Sequence, residues 1–230
     1  MNKQTCQLLH TSDLHLRNID SGASQSFSTI TDLAVKHAVD LLIIAGDFFD
    51  YNAIDDSVVT FAIDQLTKMT CPTVILPGNH DYLADNSVYN RIVWHNQNNV
   101  FIFRNQEGET FEFQESRISI WGKPITVEDN IRPLSGIPLP HNRDYWHIAV
   151  AHGYYVDTEV PIFPDYHITY DEIVESGRDY IALGHVPVFR CACDEKVKAY
   201  YSGEANLCGT VNLISLGKEG IVQVNRIPTV

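Results

Sequence analysis

Asp13 and His15 place a carboxylate and an imidazole two residues apart near the start of the chain. Asp47 and Asp50 add carboxylates, Asn79 and His80 an amide and an imidazole, and His152 and His185 two more imidazoles. Mixed oxygen and nitrogen donors suit Mn, Fe, Zn or Co, whereas an all-oxygen set would suit Mg or Ca. Placement unites them, because each group follows a run of strand-forming residues. In open α/β sheets ligands bind beyond the carboxyl ends of the strands, so separate loops can deliver these donors to one point. A single Asp or His beyond a strand reads as a turn or cap residue. Five such groups at five strand ends read as a constellation.

The elements that must position them follow from periodicity. Gln4 to Thr11 reads as a strand, and Phe27 to Ala38 carries apolar residues on one helical face. Asp40 to Ala45 is a continuous apolar run, as in a strand buried on both faces, followed by a loop at Gly46 to Asp56 and a helix over Val58 to Met69. Thr73 to Leu76 repeats the strand pattern before Pro77 and Gly78, and a further helix is expected over Val88 to His95. This alternation implies right-handed crossovers and a mostly parallel sheet. The second half holds short strand candidates, among them Arg117 to Gly122, His147 to Ala151 and Tyr180 to Leu183, with Val188 to Cys193, Lys196 to Tyr201, Val211 to Leu216 and Ile221 to Val224 after them. Two packed sheets with helices outside would hold them all.

The 230 residues are 44% hydrophobic and 20% charged, enough for a sizeable core in one α/β domain over 1–230. No apolar run is long enough to span a membrane, and the N-terminus lacks the pattern of a signal peptide, so a cytoplasmic protein is expected. The five cysteines read as reduced thiols. A formal net charge of -13 with no Lys/Arg block argues against tight nucleic-acid binding by the chain alone. Bound divalent cations would offset part of that charge.

The ordered segments are Asp13-Leu14-His15, Gly46-Asp47-Phe48-Phe49-Asp50, Gly78-Asn79-His80-Asp81, His152-Gly153 and Gly184-His185. Their order and spacing resemble the calcineurin-like metallophosphoesterase family. Within it, His10 to Leu16, Gly46 to Asp50, Tyr180 to His185 and Tyr201-Ser202-Gly203 are most similar to the SbcD-type DNA-repair nucleases. The resemblance implies a four-layer α/β sandwich of two mixed β-sheets flanked by helices. It also implies two divalent transition-metal ions bridged by Asp47, with Asp13 and His15 on the first and Asn79, His152 and His185 on the second. Mn is the first choice, with Fe, Zn or Co as alternatives. Such a pair, about 3.5 to 4 Å apart, presents a metal-bound hydroxide for in-line attack on phosphorus. His80 is expected opposite the ions, binding the phosphate or protonating the leaving oxygen, with Asp50 orienting it. Asn79 joins His80 in substrate binding. Arg17 reads either as a phosphate contact or as an exposed loop arginine.

The chain departs from the family pattern at one place. Gly-His-x-His is the family's usual last motif, but this sequence reads Gly184-His185-Val186-Pro187, so the first site lacks a histidine and is expected to load weakly, select a different metal or stay empty. His10, His167, Asp194 and Glu204 are candidate substitutes that spacing does not separate. SbcD-type nucleases also continue into a capping region and work with an ATPase partner. None of that is expected here, which favours a phosphodiesterase, with monoester activity on the same site chemically close. The alternatives are a DNA nuclease subunit needing a partner, and a metal-poor binding protein on the same fold. The expected substrate is a nucleotide or nucleic-acid end; a protein partner or homo-oligomer is left open.

Overall fold

The computed structural model describes residues 3–126, 132–156 and 166–229. In the first sheet β1 (Cys6–Thr11), β2 (Leu41–Ala45), β3 (Thr73–Leu76) and β4 (Val100–Ile102) run parallel in that order. β13 (Thr210–Leu216) joins β1 antiparallel, and β14 (Val222–Pro228) forms the outer edge. The second sheet has a parallel centre of β6 (Ile118–Gly122), β7 (Trp146–His152), β10 (Tyr180–Gly184) and β12 (Lys198–Tyr201). Its edges are antiparallel, β5 (Glu109–Phe113) beside β6 and β11 (Arg190–Asp194) beside β12. β8 (Tyr154–Val156) and β9 (His167–Thr169) pair separately, in parallel. Both large sheets are therefore mixed, as the family resemblance implied.

The layers follow from side-chain alternation, since successive residues of a strand face opposite ways. Leu41, Ile43 and Ala45 of β2 face the second sheet, where they meet Trp146, Ile148 and Val150 of β7 and Tyr180 and Ala182 of β10. Leu42 and Ile44 face outward onto α1 (Gly22–Lys36) and α2 (Asp56–Leu66), packing with Phe27, Ile30, Val58 and Ala62. Ala149, Ala151, Ile181 and Leu183 form the other outer face, covered in part by Ile168 of β9 and Ile173 of α3 (Tyr170–Glu175). Strands buried on both faces read as unbroken apolar runs for this reason. Among the described residues no helix is long and apolar enough to cross a membrane.

Element boundaries moved where capping decides them. α1 starts at Gly22, earlier than the apolar face indicates, because the Ser21 hydroxyl accepts a hydrogen bond from the Ser24 N–H at 3.1 Å. Val88 to His95 is not one helix but two 3₁₀ turns, Val88–Asn90 and Ile92–Asn96. Arg91 between them is extended, its guanidinium donating to the carbonyls of Asn52 and Ile54 and pairing with Asp56. α3, the short α4 (Ala205–Cys208) and the β8–β9 pair lack the periodicity that would have revealed them.

His10, one candidate substitute ligand, is fully buried between the sheets with Nδ1 2.8 Å from the Tyr180 hydroxyl. Burial pushes its pKa down to about 3. In the unfolded chain it titrates near 6.5. Between these values the unfolded state binds the extra proton, so stability falls as pH drops through this window. Urea unfolding of the metal-free chain should show a slope approaching about 1.4 kcal/mol per pH unit from this group. His10→Asn should flatten that part of the profile between pH 6.5 and 4.

Candidate metal centre

The five strand-end groups converge where the two sheets come closest. The segments after β1 and β2 run side by side, with the N–H groups of Asp13, His15 and Leu16 donating to the carbonyls of Gly46, Asp47 and Phe48 at 3.0 Å. Hydrogen bonds from two histidines tie this edge to the second sheet. His152 Nδ1 lies 2.9 Å from the Ala45 carbonyl oxygen, and the His185 N–H donates to both Asp13 carboxylate oxygens at 3.0 and 3.1 Å. Little space remains there: a Cβ on Gly184 would lie 1.7 Å from the Ala45 carbonyl oxygen, and one on Gly46, at φ +91°, would lie 2.0 Å from His152 Nδ1. Asp13, His15, Asp47 and His185 all hold positive φ (54°, 47°, 51° and 93°). Non-glycine residues keep that strained backbone only where the surroundings enforce it.

The donor atoms form three groups among the described residues, two of which share Asp47: Asp13, His15 and Asp47 in one, and Asp47, His152 and His185 in the other, while His15, Asp50 and His80 form the third. Asp47 Oδ1 accepts the His80 N–H at 2.9 Å, while Oδ2 lies 3.2 Å from His152 Nε2 and 4.0 Å from His15 Nε2. Asn79 Oδ1 is 3.0 Å from His152 Nε2 and 2.8 Å from His185 Nδ1, and those two ring nitrogens are 3.2 Å apart. Two nitrogens and two oxygens thus point at one spot. A cation there would satisfy all four, so this donor set fits a transition-metal ion.

The electrostatics agree. Burial opposes ionisation of Asp47, but the charge and hydrogen bond of His152 and the His80 N–H outweigh it and hold the carboxyl well below the usual range. Burial likewise opposes the charging of His152, yet Asp47 raises it to about 9. Burial first and then the His152 charge push His185 down to about 3, keeping its imidazole neutral with a lone pair to offer. Burial pushes the Asp13 carboxyl up, and Asp47 adds to that against the opposing His152.

The other expected residues divide differently. His80 Nδ1 lies 3.0 Å from the Asp50 backbone carbonyl, whereas the Asp50 carboxylate is nearer His15 Nδ1, at 3.4 Å, than His80 Nδ1, at 3.8 Å. Asp50 therefore reaches both imidazoles, His80 with its main chain and His15 with its side chain. Arg17 is largely exposed, and its guanidinium is 3.8 Å from Asp50. Asp194 is taken by Lys198 at 2.7 Å, and His167 is buried in β9.

Glu204 lines a pocket of about 310 Å³ with His15, Arg17, Asp50 and the start of α1. Burial raises its carboxyl above the ordinary range and Asp13 and Asp50 add to this, against His15 and a hydrogen bond from Asn206.

Asp81 closes the Gly78 to Asp81 segment, and nothing in the sequence assigned it a part. It is fully buried, accepts the N–H groups of Gly78 and Phe49 at 2.7 and 3.0 Å, and takes the Tyr89 hydroxyl at 2.5 Å. It locks the β2 and β3 loops together beneath Asp47 and Asn79. Its place directly after His80 was the only signal, and an aspartate after a turn reads as surface.

This fold, with two donor clusters sharing a carboxylate at the joined sheet edges, defines a metallophosphoesterase. Residues 7–214 match the model of the calcineurin-like phosphoesterase family, and the chain belongs to that metal-dependent family. It is similar to an uncharacterized metallophosphoesterase, YhaO, of Bacillus subtilis, with 26% identity over 217 residues that cover 85% of this chain and 52% of that protein. It also matches the DNA double-strand break repair protein Mre11 of Sulfurisphaera tokodaii, 34% identical over 85 residues, 33% of this chain and 22% of the relative. The chain thus spans about half the length of YhaO and matches a smaller part of Mre11. Among solved structures, TT1561 of Thermus thermophilus shares the fold with a TM-score of 0.60 at 10% identity, covering 97% of this chain and 99% of that one. An archaeal phosphodiesterase does so at 0.50 and 14%, with 96% and 99% covered.

Asp81→Asn replaces one carboxylate oxygen by an amide that cannot accept, leaving a buried N–H or hydroxyl without its partner. Denaturant unfolding should show a loss of about 1 to 3 kcal/mol.

Proposed function

We propose that this chain hydrolyses phosphodiesters at a two-ion centre in which Asp47 bridges Asp13 and His15 on one side and Asn79, His152 and His185 on the other. The observation that carries this is the shared Asp47 carboxylate, whose Oδ2 faces imidazoles of both clusters. When bound, the ions supply charge to the phosphoryl oxygens and acidify the attacking water. The chain's own residues do the rest. Asp50 orients His80 through its main-chain carbonyl, while its carboxylate lies 3.4 Å from His15 Nδ1. With Nδ1 so engaged, His80 Nε2 is left to face the substrate, where its protonated form donates to a phosphate oxygen or to the leaving oxygen. A diester suits this arrangement because its poor leaving group gains from protonation. Arg17, exposed where it lines the same pocket as His15 and Asp50, is the proposed contact to a substrate phosphate. Mn is the first metal to test, given mixed carboxylate and imidazole donors.

A nucleotide or nucleic-acid end as substrate is the second step of this reading. Mre11, to which part of the chain is similar, is a DNA double-strand break repair protein. Against a long duplex stands the net charge of -13, so a partner would have to supply the basic surface.

Mn-loaded protein should hydrolyse bis-p-nitrophenyl phosphate. On a diester with an alkoxide leaving group His80→Asn should lower kcat by about 10² to 10⁴, and on bis-p-nitrophenyl phosphate by less, because p-nitrophenolate leaves without a proton, while metal content stays the same. Asp47→Ala should remove both ions, as measured by elemental analysis. An inert wild-type chain with two ions bound would overturn hydrolysis; full activity after loss of Asp47 would overturn the bridging role.

His152 carries a proton up to about pH 9 in the metal-free chain, and an ion must displace it. Below pH 9 the apparent Mn affinity should therefore rise with pH by up to about tenfold per unit, releasing close to one proton per chain into a weakly buffered indicator. A flat affinity between pH 6 and 8 would remove His152 from the shell.

A further inference from the structure

Among the described residues, Asp13, His15 and Asp47 are the three grouped donors of the first cluster, and Pro187 stands where the family resemblance implies a histidine. The Pro187 carbonyl is not free: it accepts the Glu204 N–H at 3.1 Å. Glu204 also bridges to Ser12 in parallel register, which places it beside the residue preceding Asp13. The two flanking hydroxyls, Ser12 and Ser202, lie 3.0 Å apart and hold these segments together. The Glu204 side chain then shares a pocket wall with His15 and Asp50. Among the described residues no lysine or arginine pairs with it. A half-buried carboxylate is thus held near Asp13 and Asp50, with His15 and Arg17 lining the same pocket, and carboxylates gathered this way favour a cation.

We propose that Glu204 supplies the missing donor to the first ion, a carboxylate serving in place of the histidine that Pro187 displaces. The inference rests on the two-ion reading of the site. Glu204 stands outside the tight Asp13–His15–Asp47 cluster in this structure, and it reaches the ion by turning its flexible side chain through the pocket. The exchange makes the two positions chemically unlike. The first has three carboxylates and one imidazole, which suits Mn, and the second has two imidazoles, an amide oxygen and one carboxylate, which suits Zn or Fe as well.

The test is calorimetric titration of the metal-free full chain with MnCl₂, read beside the Mn(II) paramagnetic resonance signal. Wild type should take up two ions per chain. Glu204→Gln, which keeps the size of the side chain and its contact to Asn206, should bind one ion as before and the other at least about tenfold more weakly, a loss typical of a damaged metal shell. Adding Pro187→His to that variant should restore the weakened constant. Two ions bound by Glu204→Gln with unchanged constants would overturn the role of Glu204 and leave the two-ion reading standing. A double variant no tighter than Glu204→Gln alone would also overturn it, because the two positions would then not serve one ion. Wild type binding no more than one ion would overturn both proposals. Thermal melts of each variant check that the fold is intact.

Discussion

The molecule depends on the contact at which its two sheets are pinned edge to edge. The Ala45 carbonyl meets His152 Nδ1, and Asp13 accepts the His185 N–H; both pairs join the parallel strand ends of one sheet to those of the other. Elsewhere the sheets are separated by large side chains such as Ile43, Ile148 and Trp146. At this edge glycines at 46 and 184 replace them, and the backbones approach directly. That approach brings donors from five loops into two clusters only a few ångströms across. It also buries Asp13 and Asp47 side by side, an arrangement that costs energy until a positive charge is added. The metal-free chain meets part of this need with the proton on His152, held up to about pH 9 by Asp47.

From this constraint the site's asymmetry follows. The second cluster is rigid, its donors fixed by the strand ends of β7 and β10 and by Asn79. The first cluster has a wall formed by the segment around Glu204, which belongs to neither the β10 loop nor the β1 loop but hydrogen-bonds to one and bridges to the other. A change at Pro187 can be answered from that segment because the parallel bridge to Ser12 already holds it against the site. Asp81 has the complementary duty on the far side, where two backbone N–H groups and the Tyr89 hydroxyl fix the loops that carry Asp47 and Asn79.

Much of this was readable from the chain. The unbroken apolar run Leu41–Ala45 implied a strand covered on both faces, and it is. The repeated pattern of apolar strand followed by Asp, Asn or His placed these side chains at strand ends, and the structure brings them close together there. Where short-range signals were weak or competing, the reading departed from the structure. Val88 to His95 has helical spacing, yet Arg91 is drawn into hydrogen bonds with the Asn52–Ile54 loop and breaks it into two turns. The β8–β9 pair and α4 are too short to show a period.

What the sequence determined by itself was which Asp, Asn and His residues stand just beyond the strand ends, because residue type and the apolar runs before them are local features of the chain. Which donor faces which was decided only in three dimensions. Asp50 reaches His80 through its main-chain carbonyl, and the turn after β2 leaves its carboxylate 3.4 Å from His15 Nδ1 and 3.8 Å from His80 Nδ1. His10, His167, Asp194 and Glu204 were equal candidates on spacing. Sheet packing buries His10 against Tyr180, β9 buries His167, Lys198 engages Asp194, and only Glu204 is brought to the wall of the first cluster. Contacts between residues far apart in the chain carry no local pattern, so the packing of one sheet on the other had to make that choice.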